Sequence, residues 1–261
     1  MRRSIRYAAL DPTGNITLLV RTAVPPALQP ACAARLMTLE PASEQVGFLS
    51  DGTDTDIALR MAGGEFCGNA AMSAAVLFAD ASGAGSKRLQ VAVSGIRSPV
   101  EAETKLLPDG DWLGTVSMPA PISVRREVLP DGSERPVIRF DGITHVIMDG
   151  MPDPDHAESL APFWCRALDA QALGLLFLDV KNGTMSPLVY VPGAGTLCWE
   201  NSCASGTTAV GAFLAAEGRG SVRVSLRQPG GILTAEADAD GRITLQGKVR
   251  ILGERASEIE L

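Results

Sequence analysis

Two cysteines stand where a thiol could act as an acid or a base. Cys67 and Cys203 each open an Ala-rich stretch whose apolar spacing predicts a helix, over 67–79 and 203–216. A helix N-terminus carries unpaired backbone N–H groups and a partial positive charge, so it favours a thiolate and binds carboxylates. We therefore expect helix-start placement to lower the pKa of both thiols and to activate them.

Two such helix starts could serve one α-carbon together. One thiol would remove the Cα proton, the other would return a proton on the opposite face, and the N–H groups would hold the α-carboxylate as charge develops on it. Gly68 and Ala204 follow the two cysteines and are small enough for a ligand to approach the backbone. At this point the alternative is equally open, namely that both cysteines are small buried apolar residues.

The other three cysteines lack this setting. Cys32, Cys165 and Cys198 lie in apolar patterns without a glycine-rich helix start, and Trp199 would block a ligand beside Cys198. Five scattered cysteines suit reduced thiols better than a disulfide framework, and neither their spacing nor the two histidines suit a metal site. The four lysines have no adjacent phosphate-binding loop, so we predict no pyridoxal phosphate, no other cofactor and no metal.

Composition limits the partners. The 261 residues are 46% apolar and carry a net charge of -7, with a pI near 5.0, which argues against nucleic acid. No stretch approaches the ~20 apolar residues that span a bilayer, and the start does not resemble a secretory signal. We expect a cytoplasmic enzyme, monomeric or homodimeric, that acts on a small amino-acid substrate away from membranes.

The rest of the chain predicts many strands and few helices. A third helix is predicted over 31–39, and turns over 108–111 and 129–132. The predicted strands are 16–20, 55–61, 89–93, 136–140, 175–180, 188–191, 222–226 and 243–245.

The two cysteine segments resemble each other and lie 136 residues apart (203 minus 67), which suggests a duplicated fold. Pro119 and Pro121 mark the predicted boundary. The halves are then 1–118 with Cys67 and 119–249 with Cys203, and we expect the tail, about 250–261, to pack back on the first half.

Five segments resemble the diaminopimelate epimerase-like superfamily. Segment 66–70 (FCGNA) is similar to its Cys-Gly-Asn-Gly motif, and segment 202–207 (SCASGT) is similar to its second cysteine motif. Segment 14–15 (GN) resembles its early Gly-Asn, segment 142–146 (GITHV) its Gly-Asn-Pro-His, and segment 229–231 (PGG) its late turn. Their order and spacing make the likeness specific.

The resemblance implies an α/β (α+β) fold of two pseudo-symmetric halves. Each half is expected to be a curved, mainly antiparallel sheet or barrel around a central helix, with the active site in the cleft between them. The resemblance also implies a mechanism without pyridoxal phosphate in which Cys67 and Cys203 exchange the roles of acid and base. The implied substrate contacts are Asn15 and the backbone amides of Gly68, Asn69, Ala204 and Ser205. His145 and Glu200 are further candidates for the substrate site.

Two of these roles stay open in the sequence. His145 could hydrogen-bond near a thiol or be a satisfied structural residue. Glu200 could pair with the substrate amino group or cap the second helix. His156 is predicted to lie in a solvated loop.

Departures from the superfamily bear on the substrate. The Glu-Arg pair before the second cysteine is absent from 197–202, Ile143 replaces an Asn, and 186–191 lacks the usual polar groups. A second amino-acid head would leave its charges poorly paired, which disfavours diaminopimelate. The Trp-Glu-x-Ser-Cys-x-Ser-Gly-Thr pattern looks more like the histidine racemases of staphylopine-type metallophore biosynthesis, which implies histidine.

Several alternatives remain at this stage. The chain could be a diaminopimelate epimerase or a racemase of another amino acid. It could also be an isomerase of the phenazine-biosynthesis type, although those use a carboxylate in place of thiols, or a non-catalytic amino-acid-binding protein on the same fold.

Overall fold

A computed structural model describes residues 2–218, 220–238 and 240–261. The chain forms two compact units. The first runs up to Ser117 and resumes over Gln246–Leu261, and the second is Met118–Leu245. None of the described helices combines the length and hydrophobicity that a bilayer-spanning helix requires.

The elements of the first unit are mostly short strands. The strands are β1 (Arg2–Pro12), β2 (Thr17–Val20), β3 (Gln45–Ser50), β4 (Ile57–Met61), β5 (Ser86–Val93), β6 (Val100–Leu106) and β7 (Trp112–Met118). The helices are α1 (Gln29–Leu39) and α2 (Gly68–Ala81), with a 3-10 turn at Pro26–Leu28.

The second unit has the same make-up. Its strands are β8 (Ser123–Val128), β9 (Glu134–Arg139), β10 (Thr144–Asp149), β11 (Leu173–Asp179), β12 (Thr184–Val191), β13 (Thr196–Trp199), β14 (Val222–Gln228) and β15 (Gly231–Ala237). Its helices are α3 (Pro154–Ala167) and α4 (Ala204–Gly218). A long last strand, β16 (Ile243–Glu260), begins in this unit and continues into the first.

The first unit is a closed barrel around α2. Its strands run in the order β1-β2-β3-β4-β5-β6-β7-β16, and β16 pairs antiparallel with β1, from Arg2 opposite Glu260 to Pro12 opposite Val249. Helix α2 packs against β1 through β6 and is buried from Gly68 to Leu77. Its alanines keep the helix thin enough for a ring of strands to close around it.

The second unit repeats this plan. Strands β10 and β11 come before and after α3 along the chain and pair in parallel, as β2 and β3 do around α1. Strands β12 and β14 come before and after α4 along the chain and pair in parallel, as β4 and β5 do around α2. The other described pairings are antiparallel, which confirms the predicted fold class of two similar, mainly antiparallel halves with an Ala-rich helix each.

The predicted elements are present, with ends that differ by a few residues. Every predicted strand overlaps an observed one, and the three predicted helices are α1, α2 and α4. Both predicted turns join hairpins, with Gly110 and Gly132 in the left-handed conformation that glycine adopts without strain.

One local prediction is wrong. His156 lies not in a solvated loop but in the first turn of α3, although it is exposed. Asp153 caps the helix by accepting the His156 N–H at 3.4 Å, and Pro154 occupies the first helical position, where no N–H is needed.

Candidate active site

In the first unit, Cys67 is the N-cap residue of α2. Its backbone is extended (φ -138°, ψ 116°), and its Sγ accepts the Ala70 N–H at 3.5 Å. The first hydrogen bond within the helix runs from the Ala71 N–H to the Cys67 carbonyl at 3.0 Å. The N–H groups of Gly68 and Asn69 precede it and take no part in the hydrogen bonding of the helix. The half-buried thiol therefore lies at the positive end of the helix dipole.

A row of polar side chains leads to this thiol. The Cys67 Sγ lies 2.8 Å from Gln45 Oε1 on β3. The Gln45 amide nitrogen donates to Asn15 Oδ1 and, at 2.8 Å, to Thr17 Oγ1. The Asn15 amide nitrogen in turn donates to Glu44 Oε2 at 2.5 Å. Asn15 is thus linked to Cys67 through Gln45, a residue that the sequence motifs did not single out.

In the second unit, Cys203 has the matching place ahead of α4. Its Sγ accepts the Gly206 N–H at 3.3 Å, and intrahelical bonding starts with the Thr207 N–H to the Cys203 carbonyl at 3.0 Å. The Cys203 backbone N–H donates to Gln228 Oε1 at 2.8 Å, and Gln228 Nε2 donates to Thr207 Oγ1 at 2.9 Å. These two buried hydrogen bonds of Gln228 hold Cys203 at the start of α4.

The electrostatic setting of Cys203 differs from the one expected. Burial raises the pKa of the Cys203 thiol well above its ordinary value, and the Glu200 carboxylate beside it raises that pKa further. The Ser205 hydroxyl and the Gly206 N–H act in the opposite direction, toward the thiolate. The prediction of a lowered pKa is therefore wrong for Cys203, because loss of solvent outweighs the hydrogen bonds of the helix start. At neutral pH this residue is a thiol.

His145 on β10 is linked to this thiol by one hydroxyl. Its Nε2 lies 2.9 Å from Ser205 Oγ, which lies 3.5 Å from Cys203 Sγ. Burial lowers the pKa of His145 to about 3, so the imidazole is neutral at physiological pH. Because a buried N–H without an acceptor is rarer than a buried acceptor without a donor, we assign the proton to Nε2. The Ser205 hydroxyl is then able to donate to the sulfur.

The other face of the imidazole explains Gly174. Among the residues that the structure describes, His145 Nδ1 has no hydrogen-bond partner. The ring lies over Gly174, its neighbour on β11, where an added Cβ would come within 2.2 Å of Nδ1. The glycine makes room for the ring.

We expect Gly174→Ala to displace the imidazole and to lower the free energy of unfolding by about 1–3 kcal/mol, a common cost of overpacking. Chemical denaturation measures this loss. In the double variant His145→Ala/Gly174→Ala, where the ring is absent, the alanine should cost much less than in the wild-type background. An equal cost in both backgrounds would show that His145 is not what Gly174 accommodates.

The predicted site residues thus lie in two groups, one in each unit. The first unit holds Asn15, Cys67, Gly68 and Asn69, and the second holds His145, Glu200, Cys203, Ala204 and Ser205. Within each group the structure brings the polar side chains to the start of the central helix. Gly68 and Asn69 are the first two residues of α2, and Ala204 and Ser205 the first two of α4.

A pocket of about 410 Å³ lies in the second unit next to Glu200. Trp199 forms part of its wall, packs against Phe177 at 5.7 Å between ring centroids, and donates its indole N–H to Glu158 at 2.8 Å. The pocket therefore combines an aromatic ring with two carboxylates. Its lining residues are Pro152, Pro154, Glu158, Ser186, Pro187, Trp199, Glu200, Asn201 and Pro229.

The remaining cysteines have other surroundings. Cys32 is buried in the apolar core of the first unit, and burial raises its pKa to about 11. Burial also raises the pKa of Cys165, which packs in the core of the second unit. Cys198 is exposed on β13. Neither Cys32 nor Cys165 lies at a helix start.

Two functional candidates were missed by the sequence motifs. Gln45 and Gln228 contact the two cysteine segments, but they lie 22 and 25 residues away from them along the chain. Their one shared signal is an amide side chain at the first or last residue of a strand. That signal is too common to have identified them.

Comparisons with known proteins agree with the fold. A phenazine biosynthesis protein of the PhzF family from Bacillus anthracis is similar with a TM-score of 0.75 and 14% identity, over 99% of this chain and 100% of that one. A hydroxyproline epimerase from Agrobacterium vitis, solved with bound trans-4-hydroxy-L-proline, has a TM-score of 0.73 and 14% identity, over 99% and 92%. At this identity the likeness establishes the fold alone.

Sequence comparison is more specific. A histidine racemase from Fusobacterium nucleatum subsp. nucleatum is 31% identical over 259 residues, which cover 95% of this chain and 94% of that protein. The family model described as "Histidine racemase CntK N-terminal domain" matches residues 4–256. A match over nearly the whole chain, on a fold shared with epimerases, leads to one assignment: the chain belongs to the histidine racemase family.

Proposed function

We propose that this protein interconverts L- and D-histidine without pyridoxal phosphate, and that Cys67 and Cys203 are its two acid/base groups. The observation that carries the proposal is the matched placement of the two thiols. Each is followed directly by a central helix, and each sulfur accepts the N–H of the helix's third residue. Membership of the histidine racemase family supports the same reading.

The chemistry follows from what each group is able to give or accept. In one direction the thiolate of Cys203 takes the Cα proton, and the electron pair left on Cα delocalises into the carboxylate. The thiol of Cys67 then gives its proton to the opposite face of Cα and becomes the thiolate. In the other direction the two cysteines exchange roles. Proton transfer by a positioned side chain contributes about 10²–10⁴-fold to a rate.

We propose that the substrate carboxylate binds the N–H groups of Gly68, Asn69, Ala204 and Ser205. The N–H groups at a helix start point along the axis and carry partial positive charge, so they bind carboxylates well. They stabilise the carbanion more than the substrate, because negative charge builds up on the carboxylate as the proton leaves. Asn15 is proposed as a further polar contact of the substrate, in the first unit.

Glu200 is proposed to accept the proton of Cys203. The thiol has a raised pKa and must lose its proton before it can act as a base, and the adjacent carboxylate is able to take it. Ser205, held by His145, then donates to the sulfur and stabilises the thiolate. A neutral imidazole performs this task at any physiological pH.

The pocket beside Glu200 supports an aromatic, nitrogen-bearing side chain as its occupant. The substrate ring presents a flat face to Trp199, and as an imidazolium it presents one N–H group to each of the carboxylates of Glu158 and Glu200. We propose this pocket as the place of the substrate imidazole.

The proposed function is tested with a panel of L-amino acids that contains histidine, diaminopimelate, proline and hydroxyproline. The purified enzyme is dialysed and used without added cofactor, and chiral chromatography follows each reaction. D-histidine is the expected product. Product from another amino acid alone would contradict histidine as the substrate, and no product from any would contradict the racemase function.

We further propose that the chain divides functionally into halves 1–118 and 119–249, each contributing one thiol, with the tail of about 250–261 belonging to the first. We propose a cytoplasmic enzyme, monomeric or homodimeric, that works without nucleic acid or membrane. The five reduced thiols and the net charge of -7 support this setting.

A further inference from the structure

The two thiols have unlike partners. Beside Cys203 lies the carboxylate of Glu200, which is able to accept a proton. Beside Cys67, at 2.8 Å from its sulfur, lies Oε1 of Gln45, a neutral oxygen that accepts a hydrogen bond but does not take the proton away. The two half-sites, meaning the surroundings of Cys67 and of Cys203, therefore have similar backbones. They differ in whether the group beside the thiol is able to accept its proton.

The orientation of the Gln45 amide follows from its neighbours. Glu44 accepts the Asn15 amide nitrogen at 2.5 Å, and this bond turns the Asn15 oxygen toward Gln45. The amide nitrogen of Gln45 must then face Asn15, and its oxygen must face Cys67. The carboxylate of Glu44 thus fixes two amides in sequence.

A second contact fixes the same orientation independently. The Thr17 hydroxyl donates to the Asn15 carbonyl at 3.1 Å, so toward Gln45 it presents a lone pair. The Gln45 amide nitrogen donates to it at 2.8 Å. If the amide turned over, its oxygen would face two acceptors, and two hydrogen bonds would be lost. The oxygen of Gln45 is therefore held against the sulfur.

Three charged side chains on the described segments next to Cys67 have contacts of their own. Glu44 accepts from Asn15, and Arg60 on β4 donates through Nε to Gln29 at 3.0 Å. The carboxylate of Glu65 lies against Gly63, where an added Cβ would come within 2.4 Å of it. The group that meets the thiol at 2.8 Å is the amide of Gln45.

We propose that Gln45 is a positioning residue that keeps the proton on Cys67, so that the resting enzyme holds Cys67 as the acid and uses Cys203 with Glu200 as the base. The fixed amide oxygen accepts the S–H of the thiol and opposes the negative charge of a thiolate. When Cys67 has given its proton to Cα, this opposition favours the return of a proton to its sulfur, from solvent or, in the reverse reaction, from Cα of D-histidine. The role of Cys67 in turnover rests on the proposed function, but its protonation state in the resting enzyme does not.

The test measures the thiol directly. The rate at which iodoacetamide alkylates Cys67 is followed from about pH 6 to pH 10, and the Cys67 peptide is quantified by mass spectrometry in a Cys203→Ser background. Gln45→Met removes the oxygen at similar length and should speed alkylation near neutral pH about tenfold, the effect of one pKa unit. Gln45→Glu places a negative charge there and should slow alkylation by a similar factor.

Opposite changes in the two variants distinguish proton control from a structural role, which would move both rates the same way. Thr17→Val keeps Gln45 but removes one anchor of its amide, and it should speed alkylation by a smaller factor. This variant decides the matter if either Gln45 variant fails to fold. Rates that rise together, fall together or stay unchanged would overturn the proposal. Because alkylation needs no turnover, that result would leave the racemase function untouched.

Discussion

Serine in place of Cys67 or of Cys203 is expected to lower the rate of histidine racemisation by about 10²–10⁴-fold, the contribution of a positioned proton-transfer group. A serine hydroxyl fits the same space and could still accept the N–H of Ala70 or of Gly206. It is, however, a far weaker acid than a thiol, so it neither gives nor takes the Cα proton at a useful rate. The hydrogen bond that caps the helix is therefore expected to be kept, and the proton transfer to be lost.

The matched control is Cys198→Ser. Cys198 lies five residues before Cys203 but is exposed on β13, and its replacement should leave the rate unchanged. Polarimetry or chiral chromatography measures the rates, and circular dichroism verifies the fold. Undiminished activity in the Cys67 or Cys203 variant, or an equal loss in the Cys198 variant, would place the chemistry elsewhere.

Glu200→Gln is expected to lower kcat by about 10²-fold, the lower end of the range for a proton-transfer group. The carboxylate raises the pKa of the Cys203 thiol, so its removal lowers that pKa. If thiolate population alone limited the rate, activity would rise. We expect it to fall, because glutamine keeps the size of glutamate and one accepting oxygen but is unable to take the proton.

Glu158→Gln is the matched control for this change. Glu158 lines the same pocket, but its carboxylate accepts the Trp199 indole N–H at 2.8 Å, whereas the carboxylate that raises the pKa of Cys203 is that of Glu200. We expect it to alter KM and to leave kcat nearly intact. A normal kcat in the Glu200 variant, or equal losses of kcat in both, would contradict the role given to Glu200.

The sequence predicted the scaffold well where the signals are local. Alternating apolar residues and turn glycines predicted the strands, and the Ala-rich runs after Cys67 and Cys203 predicted α2 and α4. Helix α3 was missed, although Asp153 and Pro154 are a good cap and first residue. Along the chain α3 connects two parallel strands, as α1 does. The duplication therefore predicts α3, but only when the strand pairing is known.

The chemistry of the half-sites was less predictable, because it depends on contacts distant in sequence. Ser205 meets His145 from 60 residues away, and Gln45 reaches Cys67 from a strand 22 residues earlier. Helix-start placement alone predicted a lowered thiol pKa, but burial raises that of Cys203. Desolvation is a property of the packed fold and has no local signature in the sequence.

The most direct test of the two-thiol mechanism is the fate of the Cα hydrogen in deuterated water. Starting from L-histidine, the D-histidine formed in the first turnovers should carry deuterium at Cα, while the unreacted L-histidine keeps its protium, because one thiol removes the proton and the other supplies a deuteron from solvent. Proton NMR of the separated enantiomers gives both values. D-histidine that retains protium would contradict two separate acid/base groups, and so would L-histidine that exchanges before D-histidine forms.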